Sequence, residues 1–156
     1  MTPTVVAIAL GSNLGDREEH LRYALQQVAT FLQGLQVSSF LETEPVDVGP
    51  QPLFLNAAAT GQTCLSAADV LARLLAIEGE RGRQRPHPGA PRTLDLDLIL
   101  HGDRVVTEPG LHVPHPRFRE RRFVLEPLAA IAPLMRDPVT GRTIAELLAA
   151  LKKAEG

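Results

Sequence analysis

Arg92–Leu100 reads RTLDLDLIL and sets an arginine and two carboxylates into the part of the chain with the strongest core-strand character. Successive side chains of a strand point to opposite faces, so Leu94, Leu96 and Leu98 share one face while Thr93, Asp95, Asp97 and Ile99 share the other. The two carboxylates then stand side by side. Alpha carbons two apart on a strand are separated by roughly 6.5 to 7 Å, which lets both carboxyl groups converge on cations roughly 3.5 to 4 Å apart, the spacing of two-metal phosphoryl chemistry. A strand whose acidic face simply meets water shows the same alternation, so the surroundings decide. From Arg81 to Arg122 there are nine arginines and five acids, a balance of +4, whereas the rest of the chain has seven basic residues and thirteen acids, a balance of −6. Two close carboxylates in an arginine-rich third point to a metal site with anion-handling groups around it.

The 156 residues, 44% of them hydrophobic, fit one globular domain over 1–156 with a sizeable core. A formal net charge of −2 argues against general nucleic-acid affinity, which needs an excess of positive charge, and any polyanionic partner should be small. Cys64 is the only cysteine; an internal disulfide is excluded, and its place in an apolar run predicts a buried thiol rather than a nucleophile. The opening MTPTVVAIALGS is unlike a charged leader and no apolar run approaches a membrane span, so the expected location is the cytoplasm.

Val5 to Leu10 has the continuous apolar character of a buried strand and ends at GSNLGD, Gly11 to Asp16. Asp16 with Glu19 is a capping-box-like start to a helix whose apolar positions run from Leu21 to Leu32. The glycine loop between them lacks both GxGxxG and the Walker lysine, so it is not by itself a nucleotide signature. Leu35 to Leu41 reads as a second strand, ETEPVDVGPQPLF as a stiff loop, and Phe54 to Thr63 as a third strand with Asn56 near its start. Ser66 and Asp69 open a second helix, with Ala67, Val70, Leu71, Leu74, Leu75 and Glu78 at matching spacing and Gly79 and Gly82 ending it.

Arg83 to Pro91, RQRPHPGAP, is a proline-rich loop leading into the two-carboxylate strand, expected to close over a bound anion. Beyond that strand, HGDR predicts a hairpin turn with Val105 and Val106 as the return strand. LHVPHP places His112 and His115 three apart; the prolines around His115 and the lack of nearby cysteines favour phosphate-facing donors over a zinc pair. Phe118 to Arg122 predicts a short helix, FVLEPL a strand, DPVTGRT a turn and Ile144 to Lys153 a terminal helix. Strand, helix, strand, strand, helix, strand up to Leu100 suits a ferredoxin-like α+β sandwich, a mainly antiparallel sheet with helices packed on it.

Taken together, GSNLGD, ETEPV, FLNAA from Phe54, GRQR from Gly82, PRTLDLD from Pro91, VPHP from Val113 and RRFVLEPL from Arg121 resemble the 6-hydroxymethyl-7,8-dihydropterin pyrophosphokinases of folate biosynthesis, nearly end to end. The resemblance implies an enzyme that moves diphosphate from ATP to the pterin hydroxymethyl, releasing AMP. It implies that Asp95 and Asp97 bind two Mg²⁺ ions bridging the triphosphate, that Thr43, Val46, Phe54, Asn56 and Phe123 line the pterin pocket, and that Arg83, Arg85, Arg92, Leu98, His112, His115 and Arg121 approach ATP. Arg83, Arg92 and Asp97 carry the catalytic roles, Asp97 as base for the hydroxyl unless metal coordination suffices. The implied partners are ATP and the reduced pterin, with no nucleic acid and no membrane, and the implied state is a monomer. The chain departs from the family's usual pattern at Glu44 and Pro45, at Pro86, Pro88, Gly89 and Ala90, at Gly110 and at Pro116.

Overall fold

Strand β1 (Thr4–Ser12) is buried without interruption from Val6 to Ser12, because it has a strand on each side and a helical layer on each face. The computed structural model describes residues 2–44, 53–81 and 93–155. Helix α1 (Arg17–Val28) follows β1, with the Asp16 carboxylate accepting the Glu19 N–H as predicted. Then come β2 (Gln33–Val37), β3 (Leu41–Thr43), β4 (Phe54–Thr63), helix α2 (Ala67–Glu80) capped by Ser66, and β5 (Asp95–His101). The sheet runs β2-β4-β1-β5, with β3 continuing the β2 edge along β4, and every neighbouring pair is antiparallel. This is the ferredoxin-like order, in which each strand-helix-strand unit leaves a gap for a strand of the other.

The two faces are covered differently. Leu94, Leu96 and Leu98 pack with Val6, Ile8 and Leu10 of β1 against α1 and α2, as the alternation predicts. Ala7, Ala9, Ala58 and Ile99 face the other way, toward helices α3 (Arg122–Ile131) and α4 (Ile144–Glu155). Strict alternation would send Leu100 to the α1/α2 side, yet it joins Ile99 on the α3/α4 side. A register shift explains this: Ile8 pairs with Leu98 while Ala7 pairs with Leu100, so Ile99 is the extra residue of a bulge.

Several sequence expectations are corrected. FVLEPL is not a strand but the first part of α3; Val124, Leu125 and Leu128 are buried at a helix-face spacing that a six-residue window cannot separate from a strand. Leu35 to Leu41 is broken into β2 and β3, with Ser38 bridging the interruption: its N–H donates to Ala58 O and its Oγ accepts the Ala58 N–H, both at 2.9 Å. Helix α1 stops at Val28 rather than reaching Leu32, and α2 runs through Gly79 to Glu80. The return strand β6 (Val106–Glu108) pairs with β7 (Leu111–Val113), not with β5. Gly110 at its tip has φ of 80°, a left-handed conformation that a Pro109–Gly110 turn demands, which accounts for glycine there. Cys64 is exposed, because the chain has left the sheet one residue earlier at Thr63.

The segment between α3 and α4 is tied back to the single-turn helix η1 (Phe118–Glu120) by Asp137, which is fully buried. Its carboxylate accepts from Arg119 Nε at 2.5 Å and Nη2 at 2.9 Å, from the Val139 N–H at 3.0 Å and from Thr140 Oγ1 at 2.8 Å. Burial alone would raise the pKa of Asp137, but these donors outweigh it and hold the group below the usual carboxylate range. A depressed folded-state value stabilises the protein above the unfolded carboxylate pKa, about 3.9, and that contribution is lost as pH falls through the folded value. Asp137→Asn should therefore cost on the order of 3 kcal/mol at neutral pH, and the gap to wild type should narrow as pH drops below about 4. Urea unfolding of both proteins across that range checks it; a gap that stays constant would remove Asp137 as the source.

Candidate functional site

Paired residues of an antiparallel ladder present their side chains to the same face. On β5 Asp95 pairs with Gly11 of β1, and Gly11 pairs on its other side with Asn56 of β4, which in turn pairs with Leu41 of β3. The next row holds Asp97, Ala9 and Ala58. Ala9 and Ala58 belong to the cluster under α3 and α4, so the aspartates lie on that face, opposite α1 and α2. Strands are about 4.8 Å apart, which sets Asp95 and Asn56 at roughly 10 Å with only a glycine between them. Phe54 pairs with Thr43 at the end of the same face.

Gly11 keeps this floor open. A Cβ there would stand 3.0 Å from Asn56 Oδ1 and 3.6 Å from the Phe54 ring, too tight unless Asn56 gives way. Asn56 is buried and donates from Nδ2 to Thr43 Oγ1, which fixes the amide's direction and leaves Oδ1 over the glycine. The sequence carries one signal for Gly11, a glycine at the end of an apolar strand, which marks close approach; β1 runs through it to Ser12 rather than ending at Leu10. The N-terminus of helix α1 is capped by Asp16 and carries Glu18 and Glu19 in its first turn, a negative end that disfavours an anion there.

The face is closed by residues that follow β7. The His115 N–H donates to Ile99 O at 3.0 Å, pinning this segment to β5, the last strand of the sheet. His115 Nδ1 accepts the Arg117 N–H at 3.1 Å, so a neutral ring carries its proton on Nε2. Burial, then the Arg121 charge, push the His115 pKa down to about 4, with Asp95 opposing and Arg117 and His112 adding smaller downward pulls. At neutral pH His115 is therefore an uncharged donor beside Asp95. Arg121 lies over the Phe123 ring, 5.7 Å from its centroid, and Phe123 packs on the α3 side of the core.

The structure thus brings Asp95, Asp97, Thr43, Phe54, Asn56, His115, Arg121 and Phe123 to one face and its cover, with His112 exposed on β7 nearby. Leu98 turns its side chain into the core against α1 and α2, so a role at the site rests on its backbone. Val46, Arg83, Arg85 and Arg92, and the expected closing loop, lie outside the described residues. Among the described residues no three His, Cys, Asp or Glu side chains cluster to hold a metal. Two adjacent carboxylates with no third ligand among the described residues suit Mg²⁺, which keeps waters and takes phosphate oxygens rather than occupying an all-protein cage.

Residues 7–133 match the family described as 7,8-dihydro-6-hydroxymethylpterin-pyrophosphokinase (HPPK). The chain belongs to this family. A 2-amino-4-hydroxy-6-hydroxymethyldihydropteridine pyrophosphokinase of Pseudomonas aeruginosa is 42% identical over 147 residues, 93% of this chain and 90% of that protein. The enzyme of the same name from Bacillus subtilis is 42% identical over 140 residues, covering 87% and 83%. Among solved structures, an HPPK-DHPS in complex with substrates superposes with a TM-score of 0.80 over 99% of this chain at 12% identity, and wild-type HPPK-DHPS of Plasmodium falciparum with 0.74 over 96% at 14%. This chain spans 44% and 45% of those two longer chains, and the likeness establishes the HPPK fold.

The environment of His115 is testable without any ligand. Its imidazole resonances should titrate near pH 4, and Arg121→Ala should move that midpoint upward because a neighbouring cation has been removed. NMR titration with a midpoint near the ordinary 6.5 would mean that the ring is neither buried nor beside Arg121.

Proposed function

We propose that this chain transfers diphosphate from ATP to 6-hydroxymethyl-7,8-dihydropterin, as an ATP-dependent diphosphokinase of folate biosynthesis. Membership of the family supports the reaction, and the row Asp95–Gly11–Asn56 is the observation that fits it to this chain. The reaction needs a polyphosphate site and a flat heterocycle site side by side, and in that row the Asp95 carboxylate, with Asp97 in the next row, lies across one open strand from a buried amide. A single pyrophosphokinase domain over 1–156, acting as a cytoplasmic monomer, completes the reading. Among the described residues no helix is long and apolar enough to cross a membrane.

Each residue type has a physical reason. Asn56 offers the pyrimidine edge of the pterin an acceptor whose direction Thr43 fixes, while Phe54 and Phe123 supply the aromatic surfaces of the slot, and Val46 is assigned to the same pocket by the family pattern. Asp95 and Asp97 hold two Mg²⁺ ions, which neutralise charge on the phosphate oxygens when bound. Because the hydroxymethyl oxygen attacks the β-phosphorus and AMP leaves, charge spreads over oxygens that Arg83, Arg85, Arg92 and Arg121 can neutralise. His115 donates from Nε2 as a neutral ring and so brings no positive charge to compete with cations for Asp95, and His112 and the Leu98 backbone contribute at the edge of the ATP site. Asp97 is assigned as acceptor for the hydroxyl proton.

Incubation with ATP, Mg²⁺ and the reduced pterin tests this reading. AMP should form only when pterin is present; phosphate release without pterin would indicate a phosphoester hydrolase, and no turnover a binding domain. Asp95→Asn and Asp97→Asn should each lower turnover about a thousandfold or more, roughly 4 kcal/mol of barrier, without unfolding the protein; near wild-type rates would sink the metal assignment. Gly11→Ala should weaken pterin binding about tenfold, roughly 1.4 kcal/mol, by displacing Asn56, and leave ATP affinity within about twofold of wild type. Calorimetry showing the reverse order would put the pterin elsewhere.

A further inference from the structure

Helix α2 carries a carboxylate where its helical pattern calls for a core residue. Glu78 is buried to 2% exposure in the last part of α2, among positions shared with Val70, Leu74 and Ile77. Its Oε2 accepts the Leu96 N–H at 2.7 Å. Leu96 is the residue between Asp95 and Asp97, and its side chain points into the α1/α2 core while theirs point out of the opposite face. Among the described residues β5 is the last strand of the sheet, so the outward-facing N–H groups on that side meet no further described strand. Glu78 meets one of them at the point where the two aspartates leave the backbone.

Burying a carboxylate is costly, and an apolar residue at the same helix position would stabilise the core with no such cost. The bond therefore serves something other than packing. Glu78 is not a third ligand, since no cluster of three metal-binding side chains forms among the described residues. The geometry points to Glu78 as a positioning residue: by accepting the Leu96 N–H it fixes the height and slope of β5 between Asp95 and Asp97, so that both carboxylates present to one cation pair. Partners one layer behind metal ligands act in this way, orienting them without touching the ion. The inference rests on Asp95 and Asp97 being the cation site.

Two variants separate bond from charge. Glu78→Gln keeps the reach and an acceptor oxygen; Glu78→Asp keeps the charge but is one methylene too short to reach Leu96. Three measurements apply: Mn²⁺ affinity with a nonhydrolysable ATP analogue by electron paramagnetic resonance, hydrogen exchange at the Leu96 amide in metal-free protein, and pterin affinity without metal. Glu78→Gln should match wild type within about threefold, whereas Glu78→Asp should lose about tenfold to a hundredfold in Mn²⁺ affinity. The Leu96 amide of Glu78→Asp should exchange faster, while its pterin affinity stays unchanged. Equal loss in both variants, or wild-type cation binding and Leu96 protection in Glu78→Asp, would overturn the proposal. Should Glu78→Asp fail to fold, Glu78→Gln decides: full cation affinity with a protected Leu96 amide supports the bond, and lost affinity in a folded protein overturns it. Wild-type protein that binds no Mn²⁺ with the analogue would instead fail the cation-site reading, and this inference with it.

Discussion

The antiparallel register of β5, β1 and β4 is the constraint on which the site depends. A slip of one residue on β5 would turn Asp95 and Asp97 into the α1/α2 core and bring Leu94, Leu96 and Leu98 out of it. Burying two carboxylates and exposing three leucines is so unfavourable that the hydrophobic pattern of β5 alone specifies which face bears the acids. Register with β1 then decides what lies beside them: Gly11 opposite Asp95, and Asn56 beyond it. The chemistry proposed for the chain requires those neighbours and no others.

The two faces of the sheet divide the work. Helices α1 and α2 pack on large aliphatic side chains, Val6, Ile8, Leu10, Leu94, Leu96 and Leu98, and hold the strands in place. The other face carries the small residues Ala7, Ala9 and Ala58 packed under α3 and α4, and Gly11 beside Asn56, where no side chain fills the floor. The Arg119–Asp137 pair and the bond from His115 to Ile99 anchor that cover at separate points. A buried Glu78 then links the helical layer to β5 itself.

How legible this was depends on distance along the chain. The alternation of Leu94 to Asp97, the Asp16 and Ser66 caps and the strand-helix order are local patterns, and each survives in the structure. The bulge at Ile99, the exposure of Cys64 and the helical state of FVLEPL depend on partners far away in sequence, so short windows misjudge them. Site residues divide in the same way. Asp95, Asp97 and Asn56 could be named from motifs, but the role of Gly11 appears only once Asn56 is known to lie across it, and the lowered pKa of His115 only once its burial, and then Arg121 beside it, are known. Glu78 was visible as a carboxylate at a core position of a helix; its partner was not.

In the proposed reaction the cation pair and the buried amide of Asn56 are neighbours across one strand, at Gly11. Paramagnetic relaxation from Mn²⁺, bound with a nonhydrolysable ATP analogue, measures that directly on the side-chain amide protons of Asn56. With the ions held at Asp95 and Asp97, those protons should lie within roughly 10 to 12 Å of the metal, two strand spacings plus side-chain reach, and broaden strongly relative to a Mg²⁺ control. Unaffected Asn56 resonances in a sample that demonstrably binds Mn²⁺ would contradict the account and place the cations elsewhere in the fold.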